Sequence, residues 1–308
     1  MRSLPVGKAR YGLMLREDGM VLDGTVTRIG EQRYYLTTTT ANAAKVMLHL
    51  EFLLQVAWPS LRVHASSVTD QWAQMALAGP LSRAVPARAA HPLDVSPGAF
   101  PPLAAREGAI AGIPVRVFRV SYSGELAYEI AAPADSGIAV WEALLAAGAN
   151  DGIAPYGLEA MGALRIEKGH VAGPEIDGRT PPADLGLARL VSAKKHFVGS
   201  HLSRRPALAD PARLILVGLV PVDGVPVRAG ARLVEDAAAS PPVAMLGHVT
   251  SVTHSPALGH PIALGLLRGG AASKGGEIVA ASPLFGEAVR CRVVDPVFYD
   301  PAGGRQNG

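Results

Sequence analysis

The run Val120-Ser-Tyr-Ser-Gly-Glu-Leu-Ala-Tyr-Glu-Ile130 constrains the fold of this chain more than any other stretch. It joins two apolar, β-prone runs, VRVFRVSY (115–122) and LAYEIAAP (126–133), through a Ser-Gly turn, and so predicts a hairpin. Alternation along the second strand places Tyr128 and Ile130 on one face and Glu129 on the other. A carboxylate in an apolar strand is costly to bury unless it is paired or hydrogen-bonded. A flat heterocycle offering N–H donors is one such partner. A surface hairpin with a solvated Glu129 is the alternative. Tyr122 lies seven residues before Glu129 and adds an aromatic face to the same motif.

A chain of 308 residues has room for two or three domains with real cores. The formal charge of +3 is small and the arginines are scattered, which argues against nucleic acid as a partner. Cys291 is the single cysteine, so an intramolecular disulfide and a CxxC metal site are both excluded. Its alternating surroundings, Ala288-Val-Arg-Cys-Arg-Val-Val, predict a partly buried strand position. His254 and His260 are six apart without a helical face between them, and no metal site is assigned. There is no G-x-G-x-x-G and no Walker A sequence, hence no recognisable dinucleotide or nucleotide cradle. No secretory signal opens the chain and no apolar run is long enough to span a bilayer; no membrane association and a cytoplasmic location are expected.

Strands are predicted over Tyr11–Leu15, Val21–Ile29 and Tyr34–Thr39, with a turn at Gly30-Glu31. A helix is expected over 41–57, with Ala43, Val46, Met47, Leu50, Leu53, Leu54 and Ala57 inward, Thr40 or Asn42 as cap and Pro59 closing it. A further strand pair is expected at Leu61–Val68 and Ala73–Leu77, then a loop or linker in the Pro/Ala-rich stretch 86–105. Helices follow near Ser136–Ala147 and Pro155–Lys168. The expected divisions are 1–205, a β-rich barrel-like domain over 206–300 entered at Pro206–Arg213, and a frayed tail over 301–308.

Several ordered motifs carry a resemblance across nearly the whole chain. They are Tyr122-Ser-Gly-Glu-x-x-Tyr-Glu129, Ala154-Pro-Tyr-Gly-Leu-Glu159, Ala163-Leu-Arg165-Ile-Glu-Lys-Gly169, Pro181-Pro-Ala-Asp-Leu-Gly-Leu187, Val191-Ser-Ala-Lys-Lys-His-Phe-Val-Gly199 and Gly247-His-Val-Thr-Ser-Val-Thr-His-Ser-Pro-Ala-Leu-Gly259. The chain resembles the aminomethyltransferase family, the T-protein of glycine cleavage and its relatives. Ala9–Met20, Thr37–Asn42, Leu50-Glu-Phe52 and Ser67–Trp72 most resemble the folate-binding, C-terminal half of the sarcosine oxidase α subunit within that family. The Leu4-Pro-Val-Gly-Lys-Ala-Arg-Tyr-Gly12 motif opens later in family members, so an N-terminally truncated module is expected.

The resemblance implies an α+β, T-protein-like multidomain fold with mixed or antiparallel sheets, helices and a C-terminal β-barrel-like domain. It implies tetrahydrofolate as ligand and one-carbon, aminomethyl transfer from an oxidised amine as the reaction. It assigns Tyr11, Tyr122, Glu129 and Arg165 to folate binding and Asp23 to catalysis. The family carries an acidic pair where this chain has Asp23 alone before Gly24, and the Tyr11-to-Asp23 interval is one residue shorter than the family pattern. A one-residue deletion reverses the facing of a strand unless a bulge absorbs it, so Asp23 is either held in the site or displaced from it. The resemblance also implies sarcosine oxidase β, γ and δ subunits as partners, an amine or imine substrate, and a flavin held only by the missing region or by those partners. Two alternatives on the same fold are a non-catalytic folate-binding regulatory or assembly protein and an inactive structural subunit.

Overall fold

The computed structural model of the chain describes residues 3–22, 24–238, 243–270 and 272–308. The chain divides into two compact units, one formed by Met1–Met14, Leu22–Pro155 and Gly303–Gly308, the other by Leu15–Val21 and Tyr156–Ala302. Every strand pairing among the described residues is antiparallel. No helix among them is long and apolar enough to cross a membrane.

The first unit opens with a three-stranded sheet, β1 (Lys8–Tyr11), β2 (Thr25–Gly30) and β3 (Arg33–Thr37), in that order. The expected first strand, Tyr11–Leu15, lies earlier than predicted, and Leu15 makes only an isolated bridge to Val21. Helix α1 (Ala43–Phe52) continues as a π-helical turn over Leu53–Ala57 and stops before Pro59. Val46 and Leu53 of its predicted inner face are buried, while Leu48, Phe52 and Val56 are exposed. Asn42 occupies the N-cap position, but its side chain makes no cap; Nδ2 donates instead to the Leu22 carbonyl at 3.3 Å.

The unit's main sheet comprises β4 (Trp72–Ala78), β5 (Ala90–His91), β6 (Ala105–Ile110), β7 (Ile113–Phe118) and β8 (Ala127–Pro133), ordered β4-β8-β7-β6-β5. One face packs against α2 (Ala84–Ala89) and α3 (Gly137–Gly148) through Phe100, Ile110, Val117, Tyr128, Ile130 and Val140, all fully buried. The second strand predicted beside β4, Leu61–Val68, is irregular, and Leu61 and Val63 are exposed. Its apolar-polar alternation mimics a strand, but β4 takes its partner from β8, and no sheet face receives 61–68. The stretch 86–105 is not a linker. It holds the end of α2, β5 and a cis His91–Pro92 bond, and it sends Val95, Phe100 and Ala104 into the core. Pro and Ala content signalled a loop, while the buried Val and Phe between the prolines tie that loop down.

The tail does not fray. Residues Gly304–Asn307 form a helical turn, α6, and Arg119 Nη2 donates to the carbonyls of Asn307 and Gly308 at 2.8 and 3.1 Å. Arg83 Nη2 donates to the Gly308 oxygen at 2.7 Å, and Arg305 pairs with Glu125.

The second unit is built on a closed six-stranded barrel. Its strands are β9 (Leu214–Pro221), β10 (Arg232–Val234), β11 (Gly247–Ser255), β12 (His260–Arg268), β13 (Glu277–Ser282) and β14 (Glu287–Val294), ordered β10-β11-β12-β9-β14-β13. Alternate residues fill its interior, among them Leu219, Leu233, Val249, Ala263, Leu267, Cys291 and Val293. Burial pushes the Cys291 thiol up to about 12, as expected for an inert core cysteine. Helix α4 (Leu158–Glu167) packs on β11 and β12, and the entry to the barrel is a single helical turn, α5 (Pro206–Ala209).

Candidate functional site

The hairpin predicted from the central motif forms, with β7 and β8 paired so that Phe118 faces Glu129 and Arg116 faces Ala131. Alternation then sorts the side chains as expected. Tyr128 and Ile130 are fully buried in the core, and Glu129 is half-buried on the opposite face. The eight residues between the strands carry Tyr122, which is 37% exposed.

Glu129 is not simply solvated. Gln74 stands on the neighbouring strand β4, opposite Ala131 and so diagonal to Glu129, where cross-strand side chains meet. Its Nε2 donates to Glu129 Oε2 at 2.6 Å. That is the sole hydrogen bond of the carboxylate among the described residues, and Oε1 remains without a partner there. Burial raises the Glu129 carboxyl above the ordinary carboxylate range, and the Gln74 hydrogen bond partly offsets the rise.

The same face is lined with rings. Tyr35 of β3 stacks on Phe118 with centroids 5.6 Å apart and planes 14° from parallel. The Arg116 guanidinium lies 4.2 Å from the centre of the Trp72 ring and 5.5 Å from that of Tyr35. Its Nε donates to Glu107 on β6 at 3.4 Å. The Tyr35 phenol is raised by burial; Arg116 opposes that rise and the Glu129 charge adds to it. The face thus combines one acceptor carboxylate, one amide and a tier of flat π-surfaces with a cation between them. Such a set suits a planar, N–H-rich heterocycle. Gln74, Arg116, Trp72 and Tyr35 were not singled out from sequence. The one available signal was a lone glutamine at an alternate position of Trp72-Ala-Gln-Met-Ala.

Of the other predicted residues, Tyr11 ends β1 opposite Thr25 and is 38% exposed. Asp23 lies outside the described residues. Arg165 belongs to the second unit and is buried, not solvated as a helix-surface arginine would be. Its Nη1 donates to Glu175 Oε2 at 2.9 Å and its Nη2 to Ser251 Oγ at 2.6 Å. Ser251 in turn donates to Glu175 Oε1 at 2.6 Å, closing a ring of three side chains between α4, the 170–176 segment and β11. The first unit also has a cleft of about 750 Å³ lined by Arg83, Leu93, Glu125, Arg305 and Gly308. None of the predicted site residues lines it.

Fold and face together define a class. The family described as the GCVT N-terminal domain matches residues 1–195, and the glycine cleavage T-protein C-terminal barrel domain matches residues 215–300. The chain belongs to the glycine cleavage T-protein family. Among its relatives, the sarcosine oxidase subunit alpha of Rhizobium meliloti (strain 1021) is 50% identical over 307 residues, which are 98% of this chain and 31% of that protein. The chain therefore spans about a third of the length of that relative. An aminomethyltransferase of Geobacillus kaustophilus (strain HTA426) is 32% identical over 95% of this chain and 77% of that protein. The crystal structure of the glycine cleavage system aminomethyltransferase T from Bartonella henselae superposes with a TM-score of 0.81 at 26% identity, over 97% of this chain and 78% of that one.

Proposed function

We propose that this chain is a tetrahydrofolate-binding module for one-carbon transfer, of the kind used by a sarcosine oxidase α subunit. The observation that supports it most is Glu129, a half-buried carboxylate with one oxygen held by Gln74 and the other open, on a face tiered with aromatic rings. In this reading Glu129 accepts the N–H donors of the pterin edge, in hydrogen bonds strengthened by its charge. Tyr11 and Tyr122 flank the ligand's rings. Asp23 assists proton movement at the reacting nitrogens.

When bound, tetrahydrofolate would accept a carbon from the oxidised amine, releasing glycine and leaving 5,10-methylenetetrahydrofolate. The chain's own contribution is to hold the acceptor in place of a bimolecular encounter and to limit loss of the carbon to water as formaldehyde. Oxidation of the amine is assigned to a flavin carried by other polypeptide, with β, γ and δ subunits as the proposed partners. The test is calorimetric titration of the folded chain with tetrahydrofolate. Glu129→Gln should weaken binding by about 1.5–3 kcal/mol, the range for hydrogen bonds to a charged group. Equal affinity in both forms would remove Glu129 from the site.

A further inference from the structure

We propose that Gln74 is a positioning residue for Glu129, fixing one carboxylate oxygen so that the other is presented, ionised, to the N–H donors of the bound heterocycle. The inference rests on the folate reading for the identity of that heterocycle, but its geometry stands alone. Gln74 and Glu129 lie on adjacent strands at diagonal positions, and the Nε2–Oε2 separation is 2.6 Å. A glutamine amide donates without adding charge, so it can orient a carboxylate and favour its ionised form without neutralising it as an arginine would. Arg116 on this face is engaged elsewhere: it lies over Trp72 and pairs with Glu107.

Charged and titratable groups share this face with Glu129. Among the described residues they include Arg116 on β7, with Glu107 of β6 beyond it, and Tyr35 on β3, while β4 contributes the neutral Gln74. Burial already pushes the Glu129 carboxyl upward, and Gln74 is what opposes the rise. Removing the amide should therefore move Glu129 further toward neutral pH. A protonated Glu129 has lost an acceptor oxygen, so ligand binding should fail first on the acid side.

The experiment compares the full chain with Gln74→Met and Gln74→Glu. Gln74 is exposed, so neither change disturbs the core. Tetrahydrofolate is titrated anaerobically at a series of pH values running upward from the ordinary carboxylate range, about pH 4.5, to about pH 8.5. In Gln74→Met the affinity should fall at least about tenfold at the acid end and approach wild type at the alkaline end. Gln74→Glu should shift the profile further in the same direction, because two adjacent carboxylates cannot both ionise readily. Independently of any ligand, carboxyl-carbon NMR should show the Glu129 titration midpoint higher in both variants. A loss of affinity that is uniform across pH, with an unmoved Glu129 midpoint, would overturn the proposal. A shifted midpoint in a chain that binds no folate would sustain the positioning role and sink the folate reading.

Discussion

Glu129 and Arg165 were read from sequence as two parts of one site, yet they stand in contrasting physical situations. Glu129 keeps one oxygen open on a half-buried face, whereas Arg165 spends its guanidinium on Glu175, Ser251 and the His170 carbonyl. A buried ion pair whose two carboxylate oxygens both accept hydrogen bonds is costly to break, because the survivor is left charged and unpaired. Arg165→Met should accordingly destabilise the chain by about 3–5 kcal/mol, read as a lowered urea midpoint at unchanged slope. A variant of wild-type stability would show that the ring of Arg165, Glu175 and Ser251 contributes little. Glu175 itself could not be recognised from the sequence, since nothing local distinguishes a fully buried glutamate from a surface one.

At the scale of elements, α4 shows how a short motif is enforced. The helix ends at Glu167, and Gly169 follows with φ at +69°, while the His170 amide reaches back to the Arg165 carbonyl at 2.9 Å. A Cβ at Gly169 would also stand 2.4 Å from the Pro296 carbonyl oxygen. Gly169→Ala should therefore cost at least about 1–3 kcal/mol, visible as a lower denaturation midpoint. Such local signals explain what was legible. Helices α3 and α4 fall within the spans expected near Ser136–Ala147 and Pro155–Lys168 to within a few residues, and the β7–β8 hairpin was legible through alternation around Ser-Gly. Features set by distant partners were not legible. Residues 61–68 alternate like a strand but have no strand to join, because β4 pairs with β8, more than fifty residues on. The Gln74–Glu129 contact depends on that same non-local pairing, so half of the candidate face was invisible until the register was known. The 86–105 stretch failed for the opposite reason. Its prolines read as a linker, and its few apolar side chains, above all Phe100, fix it in the core.

Across the whole molecule, the antiparallel sheets and closed barrel agree with the family resemblance, while the chain spans 31% of its sarcosine oxidase relative. On the proposed reading, folate binding belongs to this chain, and amine oxidation to polypeptide carrying a flavin. Purified alone, the protein should show no flavin absorption band and no sarcosine-dependent peroxide. A bound flavin with peroxide production would reverse that division. The central claim, that reduced folate is held at Glu129, is met most directly by a crystal structure of the chain with tetrahydrofolate. The account predicts the pterin edge within hydrogen-bonding distance of Glu129, with Gln74 still on Oε2. A pterin lodged instead in the cleft of Arg83, Leu93 and Arg305, with Glu129 untouched, would contradict it.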